Sequence, residues 1–122
     1  MKKLFALTIL LLFIPVLGFG QDMKVKWEDD DGRQFSIKVF SKEFSWSMVP
    51  GDDVKYDLTG RDVIKVGDVN IRYDLPRENV TKVGDVTIRY DILRQKVTQV
   101  GGLTIKYDIL GKRVLGTRGR VR

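Results

Sequence analysis

The second half of the chain repeats one short phrase at a fixed interval. The segment VGDVTIRYD (83–91) has a near copy, VGDVNIRYD, 17 residues earlier and a looser copy, VGGLTIKYD, 17 residues later. Tyrosine recurs at the same interval, at Tyr56, Tyr73, Tyr90 and Tyr107. Self-similarity at a fixed period indicates a repeat architecture, so this feature constrains the fold more than any local motif does.

Four units fall in register when each begins at a Tyr-Asp pair. The units cover residues 56–72, 73–89, 90–106 and 107–122. Apolar and polar residues alternate along the second half of a unit, and a period of two is typical of a strand rather than a helix. Valine, isoleucine, threonine and tyrosine also suit a pleated surface.

The alternation assigns residues to two faces. The apolar series continues past the tyrosines, so we expect Leu75, Ile92 and Ile109 to share the apolar face with them. The polar series continues past the strand in the same way. We expect the acids of the Tyr-Asp pairs to lie on the solvent face and to pair with the basic residue two positions earlier; these are Asp74 with Arg72, Asp91 with Arg89, and Asp108 with Lys106.

Glycine marks one end of each predicted hairpin. Gly67-Asp68, Gly84-Asp85 and Gly101-Gly102 lie between valines or leucines, which is the layout of a two-residue turn whose first residue has positive φ. Val83 should therefore face Val86 across the strand pair. The opposite ends are predicted to close at Thr59-Gly60, Pro76-Arg77, Leu93-Arg94 and Leu110-Gly111.

The predicted fold is an all-β antiparallel meander. Each unit contributes two short strands, so four units give about eight, and the aromatic-rich segment 21–55 adds about three more. We expect segments 21–55 and 56–122 to form one domain. A single open sheet would leave one apolar face in water. We therefore predict that the sheet curls into a small barrel or a spiral, or folds over with the N-terminal strands as a lid.

The first 20 residues have the layout of a bacterial secretory signal peptide. Two lysines precede an apolar run from 4 to 19, and a small-x-small triplet places cleavage between Gly20 and Gln21. The alternative is an uncleaved membrane anchor, but the run is shorter than the ~20 residues that a spanning helix needs, and it contains Pro15. The prediction is a secreted or periplasmic protein without a transmembrane segment after cleavage.

The composition argues against an enzyme. The chain has no histidine and no cysteine, so the commonest general base, the commonest metal ligand and a disulfide are all missing. The acidic run 28–31 lacks the alternating acids of an EF-hand and is interpreted as a polar turn. We predict no catalytic residue, no metal and no cofactor. The tryptophans and phenylalanines of 21–55 could stack on sugars, but their alternation favours the core.

Positive charge is concentrated in the repeats. Residues 63–122 contain thirteen basic and six acidic residues, a net charge of +7. This balance favours contact with anionic surfaces such as lipopolysaccharide, acidic glycans, phospholipid or nucleic acid, although it also keeps a β-rich protein soluble. The candidate polyanion contacts are Arg72, Arg89, Lys106, Arg113, Arg118, Arg120 and Arg122.

Two of the units resemble a known repeat. YDLTGRDV (56–63) and YDILGKRV (107–114) are similar to the Tyr-Asp (YD, or RHS-type) repeat of bacterial secreted proteins, which has a Tyr-Asp pair, two variable residues, Gly-Arg and an apolar strand. The resemblance implies a spiralling sheet of β-hairpins, as used in toxin-encasing shells and cell-surface adhesion. The middle two units lack the glycine, the period is shorter than the family's, and the chain holds neither a shell's number of repeats nor a toxin domain.

The sequence therefore predicts an exported, non-enzymatic β-repeat protein with a structural, adhesive or glycan-binding role at the cell envelope. It predicts no specific nucleic-acid partner. A second hypothesis is a small inhibitor or immunity-type protein that binds a protein partner through an exposed sheet edge. Exposed edges also favour self-association. An outer-membrane barrel fits less well, because its strands need ~9–11 residues and these are predicted to be shorter.

Overall fold

The computed structural model describes residues 22–75 and 78–122. The predicted signal peptide, its cleavage site at Gly20 and Gln21, and the predicted Pro76-Arg77 turn lie outside the described residues. Within the described ranges the chain forms strands and turns and no helix. Accordingly, this part of the chain holds no helix of the length and apolarity needed to cross a membrane.

In residues 22–75 and 78–122, eleven strands form two antiparallel sheets. Their bounds are β1 (Lys24–Glu28), β2 (Gln34–Lys38), β3 (Phe44–Trp46), β4 (Val54–Tyr56), β5 (Val63–Val66), β6 (Val69–Tyr73), β7 (Val80–Val83), β8 (Val86–Tyr90), β9 (Val97–Val100), β10 (Leu103–Tyr107) and β11 (Val114–Arg118). Strands β1–β3 form a three-stranded sheet, and β4–β11 form an eight-stranded meander in which each strand pairs with the next. The predicted all-β, antiparallel meander with a three-stranded N-terminal segment is confirmed.

Glycine turns set the register of the hairpins. Gly67, Gly84 and Gly101 have φ of 59°, 59° and 56°, the left-handed region that glycine enters without a steric penalty. The flanking residues pair directly across each turn, and the predicted pairing of Val83 with Val86 is confirmed. These turns form one end of the eight-stranded sheet.

A β-bulge recurs just before the opposite end of each hairpin. Arg72 pairs with Lys82 of β7, but the next residue, Tyr73, pairs with Val80, so the register shifts by one residue. The same shift occurs before each of the other three tyrosines. The extra residue explains why Val80 and Val83 are both buried although they are three positions apart.

The two sheets share one hydrophobic core. Val25, Trp27 and Phe35 of the small sheet belong to the same buried cluster as Ile71 and Val86 of the large one. The backbone adds a direct link, because the amide of Val97 donates to the carbonyl of Val39 at 2.7 Å. The three-stranded sheet thus packs on the apolar face of the repeats, as the lid hypothesis predicted. Its two most buried aromatic side chains, Trp27 and Phe35, belong to this core.

The prediction that Leu75, Ile92 and Ile109 lie on the apolar face is wrong. The strands end at the tyrosines, and these three side chains are 91%, 99% and 102% exposed. The cause is the aspartate between tyrosine and aliphatic residue, because its backbone and carboxylate hold the chain in a turn there. The alternating pattern therefore stops two residues earlier than the sequence suggests.

Candidate polyanion-binding face

One face of the eight-stranded sheet carries its polar residues. Ile71, Val83 and Ile88 are buried in the shared core, so the alternate residues of the same strands, such as Arg72 and Arg89, point to the opposite side. We call this side of the sheet, away from the three-stranded sheet, the outer face.

Register shows which residues are neighbours on the outer face, since directly opposed residues of antiparallel strands share a face. Arg72 pairs with Lys82, and Lys82 pairs with Thr87. Two residues further along β8, Arg89 pairs with Gln99 of β9. The rows are Lys55–Lys65–Asn70, then Arg72–Lys82–Thr87, then Arg89–Gln99–Thr104–Arg118, and finally Lys106–Gly116.

The charged residues on the outer face are all basic. Strands β4–β11 contain seven lysines and arginines and no acidic residue. These cations are Lys55, Lys65, Arg72, Lys82, Arg89, Lys106 and Arg118. All but the half-buried Lys65 are exposed. None of the seven is placed in an ion pair with another of the described residues.

Two pairs of like charges lie directly opposite each other, Lys55 with Lys65 and Arg72 with Lys82. Like charges at opposed positions destabilise a sheet. Folding stability therefore does not explain this arrangement, whereas binding of an anion would relieve the repulsion.

The acids of the repeats are in the turns instead. Asp74 is 7% exposed, and its Oδ1 accepts the backbone amides of Glu78 and Asn79 at 3.0 Å. Its ion-pair partner is Arg94, at 3.1 Å. The predicted pairing of Asp74 with Arg72 is therefore wrong, because the carboxylate turns inward to bind its own loop.

The other Tyr-Asp pairs repeat this arrangement. Asp91 accepts the amide of Gln95 at 2.6 Å and pairs with Lys96 at 3.1 Å. Asp108 accepts the amide of Lys112 at 2.9 Å and lies 3.7 Å from Arg113. The predicted surface pairs with Arg89 and Lys106 are absent from the described ion pairs, so those two cations remain available on the outer face.

Hydrogen bonding lowers the pKa of these carboxyls. Burial acts to raise the pKa of Asp74 and Asp91. Hydrogen bonds outweigh this effect and lower both pKa values. They come from the loop amides, and also from the side chain of Asn79 for Asp74 and of Lys96 for Asp91. For Asp108 the amide of Lys112 makes the largest contribution and lowers the pKa. All three carboxyls are therefore charged at neutral pH, and as carboxylates they accept the hydrogen bonds that hold the turns.

The tyrosines of the pairs link successive units. The hydroxyl of Tyr73 donates to the carbonyl of Val63 at 2.7 Å, and that of Tyr90 donates to Val80 at 2.5 Å. Tyr107 donates to Val97 in the same way. Burial raises the pKa of Tyr90 and Tyr107, so both hydroxyls keep their proton and act as donors.

The seven predicted polyanion contacts fall into two groups. Arg72, Arg89, Lys106 and Arg118 lie together on the outer face. Arg113, Arg120 and Arg122 do not join them, since the first is in the last turn and the other two follow β11. Arg122 lies near the β1–β2 turn, 3.5 Å from both Asp30 and Asp85.

Sequence reasoning missed Lys55, Lys65 and Lys82. Lys65 and Lys82 occupy the same position in successive units, just before the valine that precedes the glycine turn. The sequence shows that the two lysines recur with the repeat. It does not show the bulge, and without the bulge their face could not be assigned.

A second charged cluster is structural. The guanidinium of Arg33, which is 5% exposed, binds Asp52 through two bonds of 2.8 Å and Asp29 at 2.9 Å. It also lies 3.1 Å from Asp68 in the first glycine turn. The hydrogen bonds from Arg33 lower the pKa of Asp52 to about 2. The cluster ties the β1–β2 turn to the start of the eight-stranded sheet. Within the described residues no group of acids is arranged to hold a metal ion.

No protein-family model matches the chain, and no curated protein or solved structure is significantly similar to it.

Proposed function

We propose that the protein is an exported, non-enzymatic β-repeat protein that binds acidic glycans or related polyanions at the bacterial cell envelope through its outer face. The signal-peptide pattern of residues 1–20 supports export, to the periplasm or beyond. The repeats place equivalent residues at regular intervals along a sheet. This regularity supports contact with an extended ligand rather than a single catalytic site.

The observation that carries the proposal is the segregation of charge on the eight-stranded sheet. Seven basic residues and no acid occupy its strands, while the carboxylates of the Tyr-Asp pairs are bound within the turns. Strands are about 4.8 Å apart, so eight strands present a basic surface roughly 34 Å wide. A surface of this width suits several anionic groups of one polymer at once, and its potential attracts the polymer from a distance.

Heparin, as a sulfated glycan, tests the proposal. The double substitution Arg72→Gln with Arg89→Gln removes two exposed cations from the middle of the outer face. Each exposed ion pair contributes about 0.2–1 kcal/mol, so the two losses should raise the Kd for heparin about 2- to 30-fold at low salt. The difference should shrink as ionic strength rises.

The matched control is Lys24→Gln with Lys26→Gln. These lysines are exposed on β1 in the three-stranded sheet, and their loss changes the net charge by the same amount. The proposal predicts a smaller loss of heparin affinity for the control than for the outer-face variant. Equal heparin affinities for the two variants would mean that affinity depends only on net charge. That result would contradict binding through the outer face.

A second candidate function is binding of a protein partner by strand addition. The eight-stranded sheet is open, and β11 presents a five-residue edge strand. Such an edge pairs readily with an extended segment of another protein or of a second copy. Recovery of one stoichiometric protein from envelope extract, without retention on heparin, would favour an inhibitor or immunity-type function over glycan binding.

We also propose that the eight-stranded sheet is curled as an open spiral. Right-handed strand twist accumulates across a sheet of this size. The single core supports the curl, because buried residues from β5 to β10 all contribute to one cluster with the small sheet. Small-angle scattering from the chain beginning at Asp22 should give a compact profile, whereas an extended ribbon would contradict the curl.

A further inference from the structure

A row of aliphatic side chains protrudes from the end of the sheet opposite the glycine turns. Each occupies the position after a Tyr-Asp pair. Leu58 is 108% exposed, Leu75 91%, Ile92 99% and Ile109 102%. We call these four residues the turn row. Since successive units are two strands apart, neighbours in the row are about 9.6 Å from each other, and the row is roughly 29 Å long.

The turns hold these side chains outward. In each, the Oδ1 of the aspartate accepts a backbone amide four residues later, from Arg61 at 3.2 Å in the first turn to Lys112 at 2.9 Å in the last. The last two turns each add a second exposed aliphatic residue, Leu93 at 73% and Leu110 at 75%. A single exposed aliphatic side chain is ordinary on a protein surface, but four that recur at the same position of successive turns line one end of the sheet and form a candidate interaction surface.

The fully exposed charges of the turns are mainly positive, although Arg94 pairs with Asp74 and Arg113 with Asp108. Arg61, Arg94, Lys112 and Arg113 are exposed in the same turns. The aspartates of the Tyr-Asp pairs are bound by backbone amides, and Glu78 is the exposed acid among the described turn residues. The basic residue that precedes each Tyr-Asp pair on the outer face adds a second line of cations beside the row.

We infer that the turn row inserts into the surface of an anionic lipid bilayer. Separate aliphatic side chains among cations suit a lipid surface, where the apolar groups enter the acyl boundary and the cations bind anionic headgroups. A second copy docked row to row would present the same excess of exposed cations to this one, which disfavours that occupant. This inference does not rest on glycan binding, because its apolar contacts come from the turns, although the line of cations beside the row belongs to the outer face.

Vesicle binding tests the inference. The probe is an equimolar mixture of phosphatidylcholine and phosphatidylglycerol, and the protein is the chain beginning at Asp22, which contains both sheets and the entire described core. The chain should sediment with these vesicles and less with phosphatidylcholine alone. Substitution of the whole turn row by serine should weaken vesicle binding by about tenfold or more, since each buried methylene contributes to partitioning. Affinity for heparin should be unchanged.

The matched control is Met48→Ser with Leu115→Ser, two exposed apolar residues outside the turn row. This variant should bind vesicles like the parent chain. The chain has no cysteine, so a fluorescent label on Ile92→Cys reports its surroundings without interference. The label should move to an apolar environment when vesicles are added, and a label on Thr87→Cys should not.

Three results would overturn the inference. One is equal vesicle binding by the parent chain and the serine variant. Another is no vesicle binding by the parent chain, even where it binds heparin. The third is self-association in solution that needs the turn row and is unaffected by lipid, which would make a second copy the occupant.

Discussion

At the scale of single residues, the Tyr-Asp pair explains why this chain repeats itself. The tyrosine hydroxyl reaches the backbone carbonyl ten residues earlier, so Tyr90 joins its unit to the strand that begins at Val80. The aspartate then closes the following turn through backbone amides, as Asp91 does with Gln95. Both side chains are used for structure, which accounts for a pattern that recurs without forming an asymmetric site.

Replacing Tyr90 by phenylalanine should lower the free energy of unfolding by about 1 kcal/mol, because one hydrogen bond to the carbonyl of Val80 is lost. Urea unfolding measures the change. Tyr56→Phe is the control, since Tyr56 is 53% exposed and begins the first unit. An equal loss in the two variants would mean that the hydroxyl bond between units does not contribute.

Acid should destabilise the fold through the same class of residues. The folded-state pKa values of Asp52, Asp74, Asp91 and Asp108 lie below their ordinary value of 3.8. The unfolded chain therefore binds more protons in this range, and stability should be constant from pH ~4.5 to about pH 8 and fall as the pH drops from ~4.5 towards 2. Asp52→Asn removes the group whose pKa is about 2, so its stability should depend less on pH in this window. An unchanged slope in this variant would contradict the contribution of the Arg33–Asp52 pair.

At the scale of elements, the sequence predicted the hairpins well and their far ends poorly. The glycine turns and the alternation of Val86, Ile88 and Tyr90 are local signals, and both were correct. The strand ends depend on the aspartate carboxylate of each pair, which binds amides four or five residues later in its own turn, and the alternation of apolar residues does not show that contact. The exposed Leu75 and Ile92 were therefore assigned to the wrong side.

Gly101→Ala should be more destabilising than the same change at Gly84. Both glycines have positive φ, so alanine costs about 1–2 kcal/mol at either position. A Cβ at Gly101 would also overlap the carbonyl oxygen of Val121 and displace the C-terminal segment, whereas at Gly84 the nearest atom is a methyl of Val69 at 3.4 Å. Thermal unfolding of both variants measures the difference. Similar losses would show that the segment after β11 does not pack on this turn.

Lys82→Gln should raise stability while it weakens polyanion binding. The change removes the like-charge pair with Arg72, and such cross-strand pairs are worth about 0.2–1 kcal/mol. Urea unfolding at low salt and heparin affinity, measured on the same sample, test both parts. A stability loss would mean that the lysine stem packs on the sheet and that repulsion is not the dominant effect.

At the scale of the whole molecule, the two sheets share one core and differ in the surfaces that they expose. The three-stranded sheet supplies Trp27, Phe35 and Ile37 to the core and thereby covers the apolar face of the repeats. The repeats then expose a basic outer face and, at one end, the aliphatic turn row. Sequence reasoning predicted the basic repeats and gave the N-terminal lid as one alternative to a curled barrel or spiral, because charge and alternation are readable along the chain. It placed Arg122 with the other arginines, since nothing local indicates that the tail reaches Asp30 and Asp85.

We propose that the outer face of the eight-stranded sheet binds polyanions. Titration of the isotope-labelled chain with a heparin-derived oligosaccharide, followed by backbone amide NMR, tests it most directly. The largest shifts should occur at Arg72, Lys82 and Arg89, with little change along β1 and β2. Shifts centred on the three-stranded sheet, or no saturable shifts at low salt, would contradict it.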